Sequence, residues 1–436
     1  MKRTLAVVLS LLFVVTALLT GCSKGSDDVK SSDAATAAPK SNPVTLKMVY
    51  WDPAQKDIME KINAKFTEEN PTIKVELELA PGDQYDQVLK TRFQSDNGPD
   101  VYMYFGSGAY KYAQAGYLGD LSNEPFAANV LPAFQGSVSF EGKLYAVPLN
   151  ATTSAVLYNK KAFATAGITD MPKTYADFLA LCEKLKKAGI IPIARGAKDA
   201  WTSLHETGPL AAGYVLNNNE NFQTDRFNDK FKFADNADMK TYFTKYAELV
   251  DKGYIDKGVL GMNHSQAMQD VADGKAGMTL GISVFYGELK TANKDGEFGY
   301  FQVPNDSGKY SIVGGSDKAI GYWPGTKHAA EAKKLVAFFA RPDIDQMYCE
   351  ATQMIPTLKD VTVNLDEPLK QLAKDIASVP VVFNWFDVPW PLPAQDAYRA
   401  QIQQIHSGER DIDKMLKAID KAYDDNKSTI TAPAVQ

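Results

Sequence analysis

The sequence contains few of the residues that build metal sites and disulfide frameworks. Only 3 of its 436 residues are cysteine and 4 are histidine. The histidines lack the close spacing of zinc ligands and stand at His205, His264, His328 and His406. We therefore predict no metal site, and so few cysteines exclude a disulfide scaffold. We expect Cys182 and Cys349 to be buried thiols, with one disulfide between them as the alternative.

An excess of positive charge is also missing, and so are the common motifs of nucleotide-binding proteins, serine hydrolases and zinc proteases. The net charge is -6 at pH 7 and no run rich in lysine and arginine occurs, so we predict no nucleic-acid binding. The patterns G-x-x-x-x-G-K-[ST], G-x-S-x-G and H-E-x-x-H are absent. Gly106-Ser107-Gly108 lacks the third glycine of a dinucleotide-binding turn. We therefore predict no cofactor.

The longest apolar run, from Leu5 to Leu19, is shorter than the roughly 20 residues that a transmembrane helix needs. A basic start precedes this run and the sequence L-T-G-C follows it at 19–22, which is the layout of a secretory signal peptide. We predict a lipoprotein signal over residues 1–22, with lipid on the sulfur of Cys22. An ordinary secretory peptide is the alternative. The predicted location is the extracytoplasmic face of a cell membrane.

Residues 23–43 are poor in large apolar side chains. They consist mainly of Ser, Asp, Ala, Lys, Gly and Pro, and Val29 is their only bulky aliphatic residue. Such a segment buries too little apolar surface to offset the entropy lost on ordering. We predict a flexible tether between the lipid anchor and the folded part.

The chain after Pro43 has the composition of a globular protein and alternates between strand and helix patterns. About 390 residues usually form two domains. Alternating strands and helices predict an α/β fold with a mainly parallel sheet. The predicted elements of the first unit are strands at 44–50, 73–79 and 101–105, a helix with Ile58, Ile62 and Phe66 on one face that stops at Asn70-Pro71, and a helix around 85–93.

Helix boundaries are marked most clearly at Thr174, where Asp177 stands at capping-box spacing. Gly189 follows at the position where left-handed geometry ends a helix. The periodicity also predicts helices over 236–252, 264–273, 329–340 and 411–425.

Aromatic residues concentrate at strand ends and in loops. Ligand crevices of parallel sheets lie outside the carboxyl ends of strands, and flat aromatic faces suit the C–H faces of sugar rings. Core packing is the alternative for each aromatic residue. The residues concerned are Trp51, Tyr104, Phe105, Trp201, Phe285, Tyr286, Trp323, Trp385, Phe386 and Trp390.

Several sequence blocks occur in the order of a known family. They are GPDVY at 98–102, YAQAGYL at 112–118, GKLYAVP at 142–148, LYNK at 157–160, PKTYADF at 172–178 and GKAGM at 274–278. Gly408 with Ile412, Leu416 and Ile419 is similar to the family's final helix. Together these blocks resemble the family 1 extracellular solute-binding proteins of ABC importers, which include the maltose-binding protein.

The resemblance implies a type II periplasmic-binding-protein fold, with two α/β lobes around a hinge and a ligand cleft. It implies chain crossings near 148–155 and 281–286. The predicted N-lobe therefore comprises 44–149 and 284–340, and the C-lobe 150–283 and 341–436. We expect a monomer that carries a carbohydrate ligand to the permease subunits of the importer, without catalysis.

The resemblance also suggests ligand-binding positions. Tyr104, Trp201, Asp199 and either Phe285 or Tyr286 stand where the maltose-binding protein has sugar-contacting residues. Ser107, Gly108 and Thr152 replace polar ligand-binding residues of that protein, which argues against maltose as the ligand. The complete predicted ligand-binding set is Trp51, Asp52, Asp83, Tyr104, Asn150, Asp199, Trp201, Phe285, Tyr286, Asp317 and Trp385.

Two other function classes remain open at this stage. A secreted glycoside hydrolase or lyase also needs an aromatic cleft, and two of the 53 acidic residues at roughly 5–10 Å would provide its carboxylates. A binding protein for a non-sugar solute, such as a polyamine, an organic anion or a metal complex, is the third class. An anion binder requires converging basic residues.

Overall fold

The structure, a computed structural model, describes residues 43–81, 84–379 and 382–430. The predicted signal peptide, Cys22, nearly all of the tether and Asp83 lie outside these residues. Within the described residues, no helix is both long and apolar enough to span a membrane.

Thirteen strands occur in the part of the chain that the structure describes. They are β1 (Val44–Tyr50), β2 (Ile73–Leu79), β3 (Val101–Phe105), β4 (Ser139–Phe140), β5 (Lys143–Leu144), β6 (Val147–Pro148), β7 (Ala151–Asn159), β8 (Ile191–Ala194), β9 (Ala276–Ile282), β10 (Phe298–Phe301), β11 (Ile312–Ser316), β12 (Lys318–Tyr322) and β13 (Val382–Phe383).

Sixteen α-helices are described between residues 56 and 426. They are α1 (Lys56–Glu69), α2 (Tyr85–Gln94), α3 (Ala109–Gln114), α4 (Pro132–Gln135), α5 (Lys160–Thr165), α6 (Tyr175–Lys187), α7 (Thr202–Ala211), α8 (Phe222–Phe227), α9 (Ala237–Asp251), α10 (His264–Ala272), α11 (Phe285–Ala292), α12 (Ala329–Phe339), α13 (Pro342–Thr352), α14 (Glu367–Ser378), α15 (Leu392–His406) and α16 (Ile412–Asn426).

The strands form two main sheets, each with its own apolar core. The first sheet has the order β2-β1-β3-β12-β6, and the second has the order β13-β11-β7-β9-β8 with β10 paired to β7. We call each sheet with the helices packed on it the first and the second lobe. This confirms the predicted type II fold class with two α/β lobes.

The expectation of a mainly parallel sheet holds for the first three strands, but both complete sheets are mixed, and β8–β9 and β11–β13 are further parallel pairs. β1 is parallel to β2 and β3, whereas β12 is antiparallel to β3 and β6. In the second sheet, β7 is antiparallel to β9, β10 and β11. β12 enters the first sheet directly after β11 of the other lobe, with no helical crossover, and runs antiparallel to β3.

The chain passes between the lobes at short connections. It leaves the first sheet after Pro148 and enters the second at Ala151, and it returns between Ser316 and Lys318. Residues 284–340 were predicted to lie wholly in the first lobe, and this is wrong for their first half. β10 and β11 pair with β7 in the second sheet, because their apolar residues belong to its core.

Helix α6 illustrates how the local sequence determines an element. The Thr174 side chain accepts a hydrogen bond from the Asp177 N–H, and the Asp177 carboxylate accepts one from the Thr174 N–H, so the predicted capping box is confirmed. Gly189 adopts φ +75° just after the helix. The buried face of α6 includes Cys182, which is in the second core, whereas Cys349 is in the first. Both are free thiols.

Candidate functional site

Two aromatic rings lie together where strands of the first sheet end. Trp51 directly follows β1, and Phe105 is the last residue of β3. Their ring centroids are 4.4 Å apart, and Trp51 also packs 5.0 Å from Tyr85. Phe105 is 48% exposed. The first sheet therefore presents an open aromatic surface at this edge.

A buried ammonium group stands beside these rings. Lys318 is opposite Phe105 in the β3–β12 register, and only 6% of its side chain is exposed. Its Nζ lies 2.7 Å from an oxygen of Asp317 and 3.4 Å from one of Asp52. Burial disfavours the charged lysine, but the carboxylates of Asp317 and Asp52 outweigh this and raise the pKa of Lys318. The three groups together carry one negative charge.

Asn150 joins this group from the first crossing between the lobes. Its side-chain Nδ2 donates to Asp317 Oδ2 at 3.4 Å, and its backbone oxygen accepts from the Asp317 N–H at 3.0 Å. Asn150 is fully buried, and its Oδ1 has no hydrogen-bond partner in the described part of the chain. We call Trp51, Asp52, Phe105, Asn150, Asp317 and Lys318 the first group.

Tyr104 is predicted to stack on a ligand, but its ring is buried in this structure. Tyr104 is only 1% exposed, and its ring packs 5.8 Å from Tyr102 and 5.5 Å from Tyr112. Successive side chains on a strand point in opposite directions, so the exposed position belongs to Phe105.

A second aromatic surface lies in the second lobe, before α7. Trp201 is 43% exposed and packs edge-on at 4.9 Å against His264. The Asp199 carboxylate accepts a hydrogen bond of 2.7 Å from the His264 N–H, at the start of α10. Asp199 therefore fixes the loop that carries Trp201 to the N-terminus of α10.

Three further side chains complete the cluster of rings around Trp201. Phe285 lies 4.4 Å from the His264 ring, and His205 lies between Trp201, at 5.7 Å, and Trp385, at 4.9 Å. Phe285 and Trp385 are buried, so in this conformation they support the surface and do not form it. We call Asp199, Trp201, His205, His264, Phe285 and Trp385 the second group.

The two groups are coupled electrostatically through His205. Burial lowers the pKa of His205 to about 4, and the Asp317 carboxylate of the first group acts against this by favouring the imidazolium form. His205 is therefore neutral at pH 7.

Tyr286 does not belong to either group. Its hydroxyl donates to Asp366 at 2.5 Å and its ring packs edge-on against Phe298 at 6.5 Å. Buried among these partners, Tyr286 has a structural role in this conformation, and its role in ligand binding stays a prediction.

Four residues of these groups are absent from the predicted ligand-binding set, and one of them, Phe105, was noted only as an aromatic residue at a strand end. Lys318 had a usable signal, because it is a charged residue at the start of an apolar strand and follows an aspartate. His205 and His264 had none, because their roles depend on contacts between α7, α10 and α11. No cluster of His, Cys, Asp and Glu suited to a metal occurs among the described residues.

Comparison with known proteins agrees with this geometry. The family model of the bacterial extracellular solute-binding proteins matches residues 51–346. The multiple sugar-binding protein of Streptococcus mutans is 25% identical over 388 residues, which cover 88% of this chain and 89% of that protein. The melibiose/raffinose/stachyose-binding protein MelE of Bacillus subtilis is 24% identical over 376 residues, which cover 84% of this chain and 83% of that protein.

Solved structures share the fold. A chitin oligosaccharide binding protein superposes with a TM-score of 0.77 at 23% identity, covering 88% of this chain and 99% of that one. The solute-binding protein RafE, solved with raffinose, gives a TM-score of 0.76 at 23% identity, and the match covers 88% of this chain and 100% of that one. The sequence blocks, the two-lobed fold and the matched residues lead to one conclusion: the chain belongs to the family 1 bacterial extracellular solute-binding proteins.

Proposed function

We propose that this protein binds a sugar or oligosaccharide between its two lobes and delivers it to the permease of an ABC importer. The observation that carries the proposal is the pair of exposed aromatic rings, one from each lobe. In the described part of the chain, Phe105 and Trp201 are the only exposed phenylalanine and tryptophan side chains. Exposed aromatic rings of this size indicate a binding surface.

The charges of the first group fit an uncharged, hydroxylated ligand. Lys318 compensates one of the two carboxylates, so the group has little net charge to offer an ionic ligand. The carboxylate oxygens of Asp52 and Asp317 accept hydrogen bonds from hydroxyl groups, while the rings of Phe105 and Trp201 cover C–H faces. The sugar-binding relatives support the same ligand class.

The sheet pairing supports a revised division of the chain. We propose a first lobe of residues 43–149 and 318–352 and a second lobe of 151–316 and 365–430. The connections between them would act as the hinge. Two of these connections, at residues 149–150 and at residue 317, are short, and closure about them buries a ligand without refolding either core. Binding proteins among the relatives support transport without turnover.

The proposal is tested by titrating the protein with melibiose, raffinose, stachyose and chitin oligosaccharides in a calorimeter. One of these sugars should bind and be recovered unchanged. Phe105→Ala and Trp201→Ala should each weaken binding at least tenfold, about 1.4 kcal/mol, because each removes the ring of one lobe. The melting temperature of the unliganded protein should change little, because both rings are exposed.

Phe227→Ala provides the matched control. Its ring lies in α8 beneath Lys427, at 5.2 Å from Nζ, and belongs to neither group. Sugar affinity should be unchanged in this variant. The proposal fails if a folded protein binds none of the sugars, or if Phe105→Ala or Trp201→Ala keeps the full sugar affinity. Release of a cleaved sugar would indicate an enzyme.

A further inference from the structure

A cavity of about 340 Å³ opens in the second lobe, lined by residues of neither aromatic group. It lies between β10, the loop that follows β10 and helix α14. Lys173, Tyr300, Gln302, Tyr310, Gln371 and Asp375 supply its polar lining. The volume falls at the lower end of the range typical of small-molecule sites, roughly 300–1,000 Å³.

The wall of the cavity is an ordered hydrogen-bond chain. Gln302, which is 6% exposed, donates through Nε2 to the Ser154 backbone oxygen at 2.7 Å and to the Tyr300 hydroxyl at 2.8 Å. Tyr300 donates to Asp375 Oδ2 at 3.1 Å, and Gln371 donates to Asp375 Oδ1 at 3.0 Å. These side chains are therefore held in place before any ligand arrives.

This chain leaves hydrogen-bond acceptors facing the cavity. Both hydrogens of the Gln302 amide are used, so its carbonyl oxygen remains available. The Asp375 carboxylate accepts only one hydrogen bond at each oxygen, although each oxygen has capacity for more. A ligand that fits these acceptors donates hydrogen bonds to them, while the Lys173 ammonium in the same lining can donate to a ligand oxygen.

Aromatic and proline rings form the remaining lining. Tyr310 is half-buried, and burial followed by the Asp375 carboxylate raises its pKa, so it stays a neutral phenol. Pro172 and Pro304 add apolar ring surface. Such rings pack well against C–H groups, and the opposite charges of Asp375 and Lys173 leave the lining with little net charge to attract an ionic ligand.

We propose that this cavity is a second ligand site, which takes an uncharged, sugar-sized molecule rich in hydroxyl groups. This proposal rests on the cavity and its acceptors alone, and it is independent of whether the site between the lobes binds sugar. Ser154, at the end of the hydrogen-bond chain, lies in β7. A ligand here therefore contacts the strand that follows the first crossing between the lobes.

The test uses fluoroglucose as the probe and its ¹⁹F line width as the readout. The protein carries Phe105→Ala and Trp201→Ala, so that binding between the lobes is removed. The line should broaden on addition of this variant. Adding Tyr310→Ala should abolish the broadening, because it removes an aromatic ring of the lining. Within the described residues Tyr310 makes no hydrogen bond, so this change should leave the lobe folded.

Two controls decide the result. Tyr145→Ala removes a half-buried tyrosine of the first lobe and should leave the broadening unchanged. Glycerol should displace the probe, whereas tetramethylammonium should not. Absence of broadening, persistence of broadening in the Tyr310→Ala variant, or displacement by tetramethylammonium alone would overturn the proposal.

Discussion

Asp345 is a carboxyl group buried in the core of the first lobe. It is 1% exposed, and its Oδ1 lies 3.7 Å from the Cys349 sulfur. Its Oδ2 has no hydrogen-bond partner within the described residues. Burial raises the pKa of Asp345 from its ordinary 3.8 to about 7, because no cation compensates the ionised form.

We predict that Asp345 makes the protein less stable as the pH rises from about 4 to about 7. The unfolded chain loses this proton near its ordinary pKa, while the folded protein keeps it until about pH 7. The stability contribution is therefore complete below the unfolded pKa and is lost as the pH passes the folded pKa. Asp345→Asn should remove this pH dependence, which amounts to at most roughly 4 kcal/mol in the free energy of unfolding.

Urea unfolding at about pH 5 and about pH 8 measures the effect. The stability of Asp345→Asn relative to the unchanged protein should rise between the two pH values. Asp343→Asn is the control, since Arg341 and then Lys65 lower the pKa of Asp343 to about 2 against its partial burial. That variant should show no such rise between the same pH values. Equal pH dependence in both variants would contradict the prediction.

The sequence does not indicate which of two adjacent aromatic side chains is buried. Tyr104 and Phe105 are adjacent, and either could have been the exposed aromatic. Their roles follow from the pairing of β3 with β12, which lies more than 200 positions later in the sequence. Asp345 carries no signal for the same reason, because its burial depends on α13 packing on the first core.

The turn after β3 meets the connection between β11 and β12 at very short range. The Gly106 N–H donates to the Asp317 backbone oxygen at 3.0 Å. A Cβ on Gly106 would lie 2.4 Å from the Ser316 Cβ and 2.5 Å from its backbone oxygen. Only glycine allows this approach, which places Asp317 and Lys318 beside Phe105.

We predict that Gly106→Ala weakens sugar binding at least tenfold and also destabilises the protein. The added methyl group forces the turn away from Ser316, and Asp317 and Lys318 move with it. Gly108→Ala is the matched control, because a Cβ there has no neighbour within 4 Å. Calorimetric titration and thermal unfolding of both variants measure the two effects. Equal behaviour of the two variants would contradict the argument.

Elements with strong local signals were predicted well. The capping box of α6 is confirmed, and the helices predicted at 236–252, 264–273, 329–340 and 411–425 begin and end within one residue of α9, α10, α12 and α16. Strands β10 and β11 escaped prediction because they are short and buried throughout. Continuous burial removes the alternation that identifies a strand.

At the scale of the whole molecule, two lobes could be predicted but their boundary could not. The crossings at 148–151 and 316–318 contain only two residues and one residue between the strands they join, and no shift in composition accompanies them. Their positions depend on which strands pair, a long-range property that local sequence patterns do not report.

We also propose that lipid on Cys22 holds the protein at the extracytoplasmic face of the membrane. Cys22→Ala should release it into the soluble fraction and abolish incorporation of labelled palmitate, because lipid chains supply the membrane affinity. Cys182→Ala, which changes a buried thiol of the second lobe, should remain in the membrane fraction. Unchanged labelling and membrane retention of Cys22→Ala would rule out this anchor.

Strand β12 has a consequence for how the chain reaches its native state. It lies between β3 and β6 in the first sheet, yet all of residues 151–316 precede it in the order of synthesis. The first lobe therefore completes its sheet only after most of the second lobe has been made, and pairing over such separations is slow. Until then β3 presents an unpaired edge, and the nascent first lobe is the stage at which this protein is most prone to aggregate.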